Sequence, residues 1–213
     1  MLTASVTFAL AAVLIVLLPG PDTLVVLRNL VRDGRRTAAL TAAGVLAGVG
    51  VWIGAAALGL AAVLHASEAA YTVLRLAGAA YLLWLGVRTM RLRIAAPPSS
   101  TALAERDVRL ATRRGWLGRG FGAGLATDLL NPKVGVFFVT FLPGFTPAGQ
   151  SVGVGSLVFG AIFLVETAVY FALLLLLAQR VVGWLGNPRV RQRLDRMTGT
   201  VLIAFAIRLA VEA

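Results

Sequence analysis

The chain is expected to fold as an all-α integral membrane protein, six transmembrane helices arranged as two inverted three-helix repeats, with the first and fourth helices broken at proline. Three observations lead there. Hydrophobic residues make up 59% of the 213 and charged residues only 14%, more apolar surface than a water-soluble globule can keep from water. The apolar residues gather into six nearly uncharged runs, with the arginines between them. A proline-containing tripeptide recurs at a matching place in each half.

The runs cover residues 2–27, 37–64, 69–87, 120–142, 149–178 and 197–211. About 20 mainly apolar residues cross a bilayer, so each run can span, the last only just. Their hydrophobicity is continuous around the helix, which excludes amphipathic surface helices and the short alternating strands of a barrel. The first run has no basic leader and enters Pro19-Gly20-Pro21-Asp22 where a signal peptide would carry a small-residue cleavage site, so it reads as a retained helix.

Loop charge supplies the orientation. Arg28, Arg32, Arg35 and Arg36 follow the first run; Arg88, Arg91, Arg93, Arg106, Arg109, Arg113, Arg114 and Arg119 follow the third; Arg180, Arg189, Arg191, Arg193 and Arg196 follow the fifth. The alternate segments, 65–68 and 143–150, hold neither Lys nor Arg. Basic loops stay in the cytoplasm, which puts both termini outside it, in a bacterial-type cytoplasmic (inner) membrane. Residues 94–114, with Pro97, Pro98, Ser99 and Ser100 among mixed charges, read as a cytoplasmic linker between repeats 1–93 and 115–213.

A shift of 111 residues lays Gly20-Pro21-Asp22 on Asn131-Pro132-Lys133. Three spans per half force the second half to insert upside down, the inverted-repeat plan of many secondary transporters. Proline removes a backbone hydrogen bond, so the two matching prolines mark discontinuous helices meeting at a central site, with a packing kink as the plainer reading of either alone. Asn131-Pro132 has the form of an N-cap followed by proline at the first helical position, and Gly20-Pro21 can act the same way. The start of such a half-helix attracts an anion, and a solute carboxylate is the natural one.

The charges in the runs are Asp22, Asp128 and Glu166 against Arg75, Lys133 and Arg208. A charge at bilayer depth costs at least ~2.5 to 3.5 kcal/mol on insertion scales, so its default reading is functional, with a static ion-pair network as the rival. Asp22 falls in the first turn of its half-helix, where simple capping explains it as well as ligand binding does. Lys133 sits where the dipole disfavours a cation and needs an anionic partner, with Asp128, Glu166 or a substrate carboxylate available. Gly20, Pro21, Asp22, Thr23, Asp128, Asn131, Pro132 and Lys133 are therefore the candidate binding residues. Glu166 and Asp22 are the candidate proton carriers, because an acid inside the membrane can take part in a proton relay.

Other features read more plainly. Gly44, Gly48, Gly50, Gly54 and Gly59 give two G-x-x-x-G spacings, read as close helix packing. His65 reads as an interfacial residue, Arg75 and Arg208 as snorkelling side chains, and Trp52, Tyr71, Tyr81, Trp84 and Tyr170 as belt or core aromatics, with cavity lining as the alternative. The net charge of +11 is dispersed between the runs instead of lying along one polar face, so nucleic acid is not an expected partner. The chain has no cysteine, which excludes a thiol relay and a cysteine-ligated metal. No phosphate-binding G-x-x-x-x-G-K-[ST] loop, H-E-x-x-H or G-x-S-x-G is present, and neither an enzyme, a metal nor a cofactor is expected.

Four segments in order carry a family likeness: Pro19-Gly20-Pro21-Asp22-Thr23; Gly34-Arg35-Arg36 followed by Gly44 and Gly48; Leu74-Arg75-Leu76-Ala77-Gly78-Ala79-Ala80-Tyr81-Leu82; and Asn131-Pro132-Lys133 with Phe137-Phe138 and Phe141-Leu142-Pro143. In these the chain resembles the LysE/RhtB family of amino-acid exporters over nearly its whole length. It departs from that pattern at Gly144, where many relatives carry glutamine after the proline. The resemblance implies secondary export of amino acids or their derivatives, exchanged for protons, with the two proline segments facing the pathway. The implied partners are a small amino-acid substrate, protons and the lipid bilayer, with a homodimer as the assembly to consider. The rival reading is a non-transporting membrane scaffold whose glycine spacings are interfaces and whose charges are structural.

Overall fold

The computed structural model describes residues 2–60, 68–91, 118–147, 149–178, 180 and 188–211. Among them every regular element is helical. The linker 94–114 and His65 lie outside the described residues, as does the side chain of Arg75.

Helix α1 (Leu2–Leu17) stops before Pro19-Gly20, and α2 (Pro21–Ala55) restarts with proline in its first turn. This is the first expected break. Proline has no N–H to lose at a helix start and its ring sets φ for the turn that follows. Helix α2 is itself folded in two at Gly34, whose φ of 83° and ψ of 178° lie in a region open essentially to glycine alone. The two limbs, 21–33 and 35–55, come together: the Asn29 side-chain amide donates to the Thr41 hydroxyl at 2.8 Å. Twelve residues of straight helix would separate those positions by ~18 Å, so the chain reverses at Gly34. The first arginine cluster was expected in a loop between spans; it lies instead on the ends of two helical limbs, where residues 31–36 are exposed around a single turning glycine.

Helix α3 (Glu68–Arg91) follows, then a π-helical turn (Gly118–Gly122) leading into α4 (Ala123–Leu129). Helix α5 (Pro132–Val136) begins after the second break and continues through a π turn (Phe137–Phe141) and a 3-10 turn (Leu142–Phe145). The halves of this broken element, 120–129 and 133–145, bend by 52°. Helices α6 (Val152–Leu176) and α7 (Pro188–Val211) complete the fold. The last run begins earlier than its apolar residues suggested, because α7 starts at Pro188 and includes the arginines that follow it.

By length and composition, 21–58 and Val152–Leu176 can each cross a bilayer, and the bent pair makes a third candidate; α1 and the segment 76–90 are shorter apolar helices. The limb 35–58 retains span length after the reversal at Gly34. Large apolar side chains are exposed on many outward faces, among them Leu10, Leu14, Val73, Val165 and Leu176. So much outward-facing apolar surface suits lipid and not water.

Glycines set the closest helix approaches. Gly44 and Gly48 on the second limb of α2 face Phe121, Leu125 and Asp128, while Gly120 and Gly124 face Thr37, Leu40, Thr41 and Val45 in return. Residue numbers rise together along this contact, so the limb and α4 run parallel. Gly86 and Gly199 bring α3 against α7, where Gly86 meets Ile203 and Gly199 meets Met90, an antiparallel pair. Small residues let backbones approach and gain dispersion energy where lipid offers no hydrophobic drive. Gly50 and Gly54 have open space beside them, so only the first of the two G-x-x-x-G spacings packs.

A cluster of phenylalanines fills the centre. Phe8 of α1 meets Phe137, Phe145 and Phe159 with ring centroids 5.9, 5.2 and 5.0 Å away. Arg208, expected to snorkel, places its guanidinium over Phe145 at 4.6 Å and Phe141 at 5.5 Å, ring faces that favour a cation.

A candidate solute site where two broken helices meet

The two breaks face one another through their side chains. Asn131 caps α5, its Oδ1 accepting from the Lys133 backbone N–H at 3.1 Å. The other end of the same amide donates to Asp22 Oδ2 at 2.6 Å, across a sequence separation of 109. One asparagine thus starts its own half-helix and holds the acid in the first turn of the other. Both residues are buried, Asn131 at 2% and Asp22 at 8% exposure.

Lys133 answers in the opposite direction. Its ammonium donates to the carbonyls of Ile15 at 3.3 Å and Leu18 at 3.1 Å, where α1 ends. The anionic partner expected from sequence is thus replaced, in direct hydrogen bonding, by the negative end of a broken helix. Carbonyls at a helix C-terminus carry the negative end of its dipole and favour a cation, which is what a lysine at this depth requires; the Ile15 carbonyl also accepts from the Leu18 N–H at 3.3 Å. Each half-helix break is completed by a residue from the other break.

Ile15, Leu18, Gly20, Asp22, Thr23, Val45, Val49, Asp128, Lys133, Phe163, Thr167 and Tyr170 line one cavity of about 30 Å³. A water needs ~10–15 Å³ of such space, so the cavity holds a water or two and no amino acid; the conformation is closed. Asp128 is wholly buried, and neither carboxylate oxygen has a hydrogen-bond partner; Asp22 Oδ1 is likewise unpartnered. Gly48 makes the room for Asp128, because a Cβ there would strike the aspartate side chain. The Trp52 indole N–H donates to the Asp128 carbonyl at 3.4 Å. Buried acid oxygens without partners are costly unless a cation, a proton or a water meets them.

Gly20, Asp22, Thr23, Asp128 and Lys133, all singled out from the sequence, line this one cavity, and Asn131 is bonded to it through Asp22. Pro21 and Pro132 stand in the first turns of their half-helices. Glu166 does not line the cavity. It stands half-buried on α6, one residue before the lining Thr167, with its Oε2 buried and unpartnered. Tyr170, expected in a belt or core, lines the cavity, and its hydroxyl lies 3.1 Å from Thr23 Oγ1. Thr167 and Tyr170 lie three residues apart on one helical face among apolar neighbours, a polar pair whose spacing was the available signal. The carbonyls of Ile15 and Leu18 had no signal, since any residue carries one.

The LysE type translocator family model matches residues 13–213. The chain is 32% identical over 213 residues to an uncharacterized membrane protein of Pseudomonas aeruginosa, covering 96% of this chain and 93% of that one. It is 30% identical over 213 residues to a threonine efflux protein of Escherichia coli, covering 99% of each. It is 29% identical over 203 residues to a homoserine/homoserine lactone efflux protein of Salmonella typhi, covering 95% of this chain and 94% of that one. No solved structure matches. A match over nearly the full length, together with the apolar helices and their two proline breaks, makes this chain a member of the LysE type translocator family, a membrane transporter and not an enzyme.

Proposed function

We propose that the protein exports an amino acid or a close derivative across a bacterial-type cytoplasmic membrane, in exchange for protons, by alternating access around the cavity between the two broken helices. The observation that carries the reading is that cavity: two acids, one lysine and two helix breaks converge on it, deep among apolar helices. A zwitterion needs both signs of partner to leave water for lipid depth, and the lining holds both. The relatives named for threonine and homoserine efflux support the cargo class.

In this reading the solute's carboxylate meets Lys133 or a half-helix start, and its ammonium meets Asp22 or Asp128, with Thr23 and Tyr170 beside them. Six spans in two inverted repeats, joined by 94–114 and with both termini outside, provide the frame. The parallel contact of the 35–55 limb with α4, and the antiparallel contact of α3 with α7, agree with that order of crossings. Proton exchange falls to an intramembrane acid, with Glu166 and Asp22 as the carriers. Opening to either side requires the half-helices to part, since the closed cavity is too small for cargo.

The test is counterflow in proteoliposomes with a panel of labelled amino acids that includes L-threonine and L-homoserine, with and without a pH gradient. Uptake against unlabelled solute that vanishes in the Asp22→Asn variant is the expected result. A panel in which nothing moves would defeat the reading.

A further inference from the structure

Lys133 occupies a place that suits an ammonium group more generally. The carbonyls at the end of α1 carry the negative end of its dipole, and an oxygen that already accepts a backbone bond, as that of Ile15 does from the Leu18 N–H at 3.3 Å, keeps a second lone pair. Two of them, at Ile15 and Leu18, hold the lysine ammonium at 3.3 and 3.1 Å. Gly20 leaves the space: a Cβ there would lie 3.2 Å from Nζ and 3.6 Å from Cε. The acids beside it are not used in the same way, since Asp22 Oδ1 and both oxygens of Asp128 are buried without partners in the same cavity. With both acids ionised, the lining carries one negative charge more than its single lysine balances. The carbonyl end of the cavity is therefore filled by a tethered cation, while the acid end has capacity for a second one.

We propose that the α1 carbonyls of Ile15 and Leu18 form a binding subsite for a ligand ammonium group, filled in this closed conformation by the tethered ammonium of Lys133. The inference rests on the export reading for what it does in transport. An arriving amino acid brings its own ammonium to the carbonyls and acids, Lys133 is released, and its ammonium turns to the arriving carboxylate. Charge is conserved in the exchange. Lys133 closes the empty site and then becomes the carboxylate's partner, and a solute without a free ammonium has nothing with which to displace it.

The test uses the full-length protein in detergent, followed by tryptophan fluorescence on heating. In Lys133→Ala, ethylammonium chloride should raise Tm saturably by about 3 °C or more at concentrations well above its Kd, with ethanol inert and the wild type unmoved. At ten times its own Kd, ethylammonium should weaken L-threonine binding to that variant about tenfold, as a competitor does. N-acetyl-L-threonine should not compete. An equal shift in the wild type, no shift in the variant, or, where the variant binds L-threonine, stabilisation without competition would overturn the proposal. The chain has no cysteine of its own, so Lys133→Cys gives a second route should the alanine variant not survive extraction. Coupling with 2-aminoethyl methanethiosulfonate should restore thermal stability and coupling with methyl methanethiosulfonate should not; equal recovery would show that volume and not charge matters, and the subsite would be lost. The ethylammonium shift needs no transport. If it succeeds and counterflow finds no amino acid, the cargo reading falls alone; if amino acids move and the shift fails, the subsite falls alone.

Discussion

The side chain of Asn131 joins the two broken helices, accepting from the backbone of Lys133 at 3.1 Å and donating to Asp22 at 2.6 Å. A cap is worth ~1 kcal/mol and a buried hydrogen bond to an ionised group ~1.5–3, so Asn131→Ala should cost ~2–4 kcal/mol in denaturant unfolding in detergent. In a cycle with Asp22→Asn the double variant should be milder than the sum of the singles. Additive costs would show that the amide and the acid do not act together.

Gly48 and Gly50 lie two residues apart and should respond oppositely to alanine. A Cβ at Gly48 would come within 2.8 Å of Asp128 Cβ, and one at Gly50 meets nothing within 4 Å. Gly48→Ala should lose ~1–3 kcal/mol from overpacking and should slow export, because Asp128 has to move. Gly50→Ala should be neutral or gain up to ~1 kcal/mol from reduced backbone freedom. Unfolding curves and efflux rates measured on the same preparations would separate them, and equal behaviour would contradict the packing described.

Gly34 turns α2 back on itself at a φ of 83° and a ψ of 178°. No neighbour obstructs a Cβ there, so Gly34→Ala isolates backbone strain and should cost ~1–3 kcal/mol. The reversal depends on it, so Asn29→Ala and Gly34→Ala should both loosen the 21–33 limb from the 35–55 limb. Faster amide exchange confined to those limbs is the expected signature; uniform exchange across the chain would speak against it.

Glu166 is the acid that the cavity does not include. If it carries the coupled proton, external acidification should speed efflux several-fold from vesicles of wild-type protein and leave Glu166→Gln unchanged, while counterflow persists in both. A variant that still answers the gradient would shift proton coupling to Asp22 or Asp128.

Much of this site was legible because it rests on residues that are expensive where they stand. Prolines within apolar runs, an asparagine before one of them and charges at bilayer depth each violate a local rule, and Asp22, Asp128, Asn131 and Lys133 were visible for that reason. Tyr170 and Thr167 stood out less, since a tyrosine or threonine in an apolar helix breaks no rule and their three-residue spacing marks no more than a shared face. Glu166 shows the converse: depth in the sequence marked it as strongly as Asp128, yet only Asp128 lines the cavity.

The sequence by itself determined the membrane class, the apolar runs and the two breaks, because bilayer thickness and the cost of an unpaired backbone group act on local stretches of chain. Only the tertiary structure decided that Lys133 is held by the end of α1, that Asn131 reaches Asp22 and that α2 reverses at Gly34. Those partners are carbonyls, or side chains about a hundred residues away, and a carbonyl carries no mark in a sequence until folding brings a cation to it.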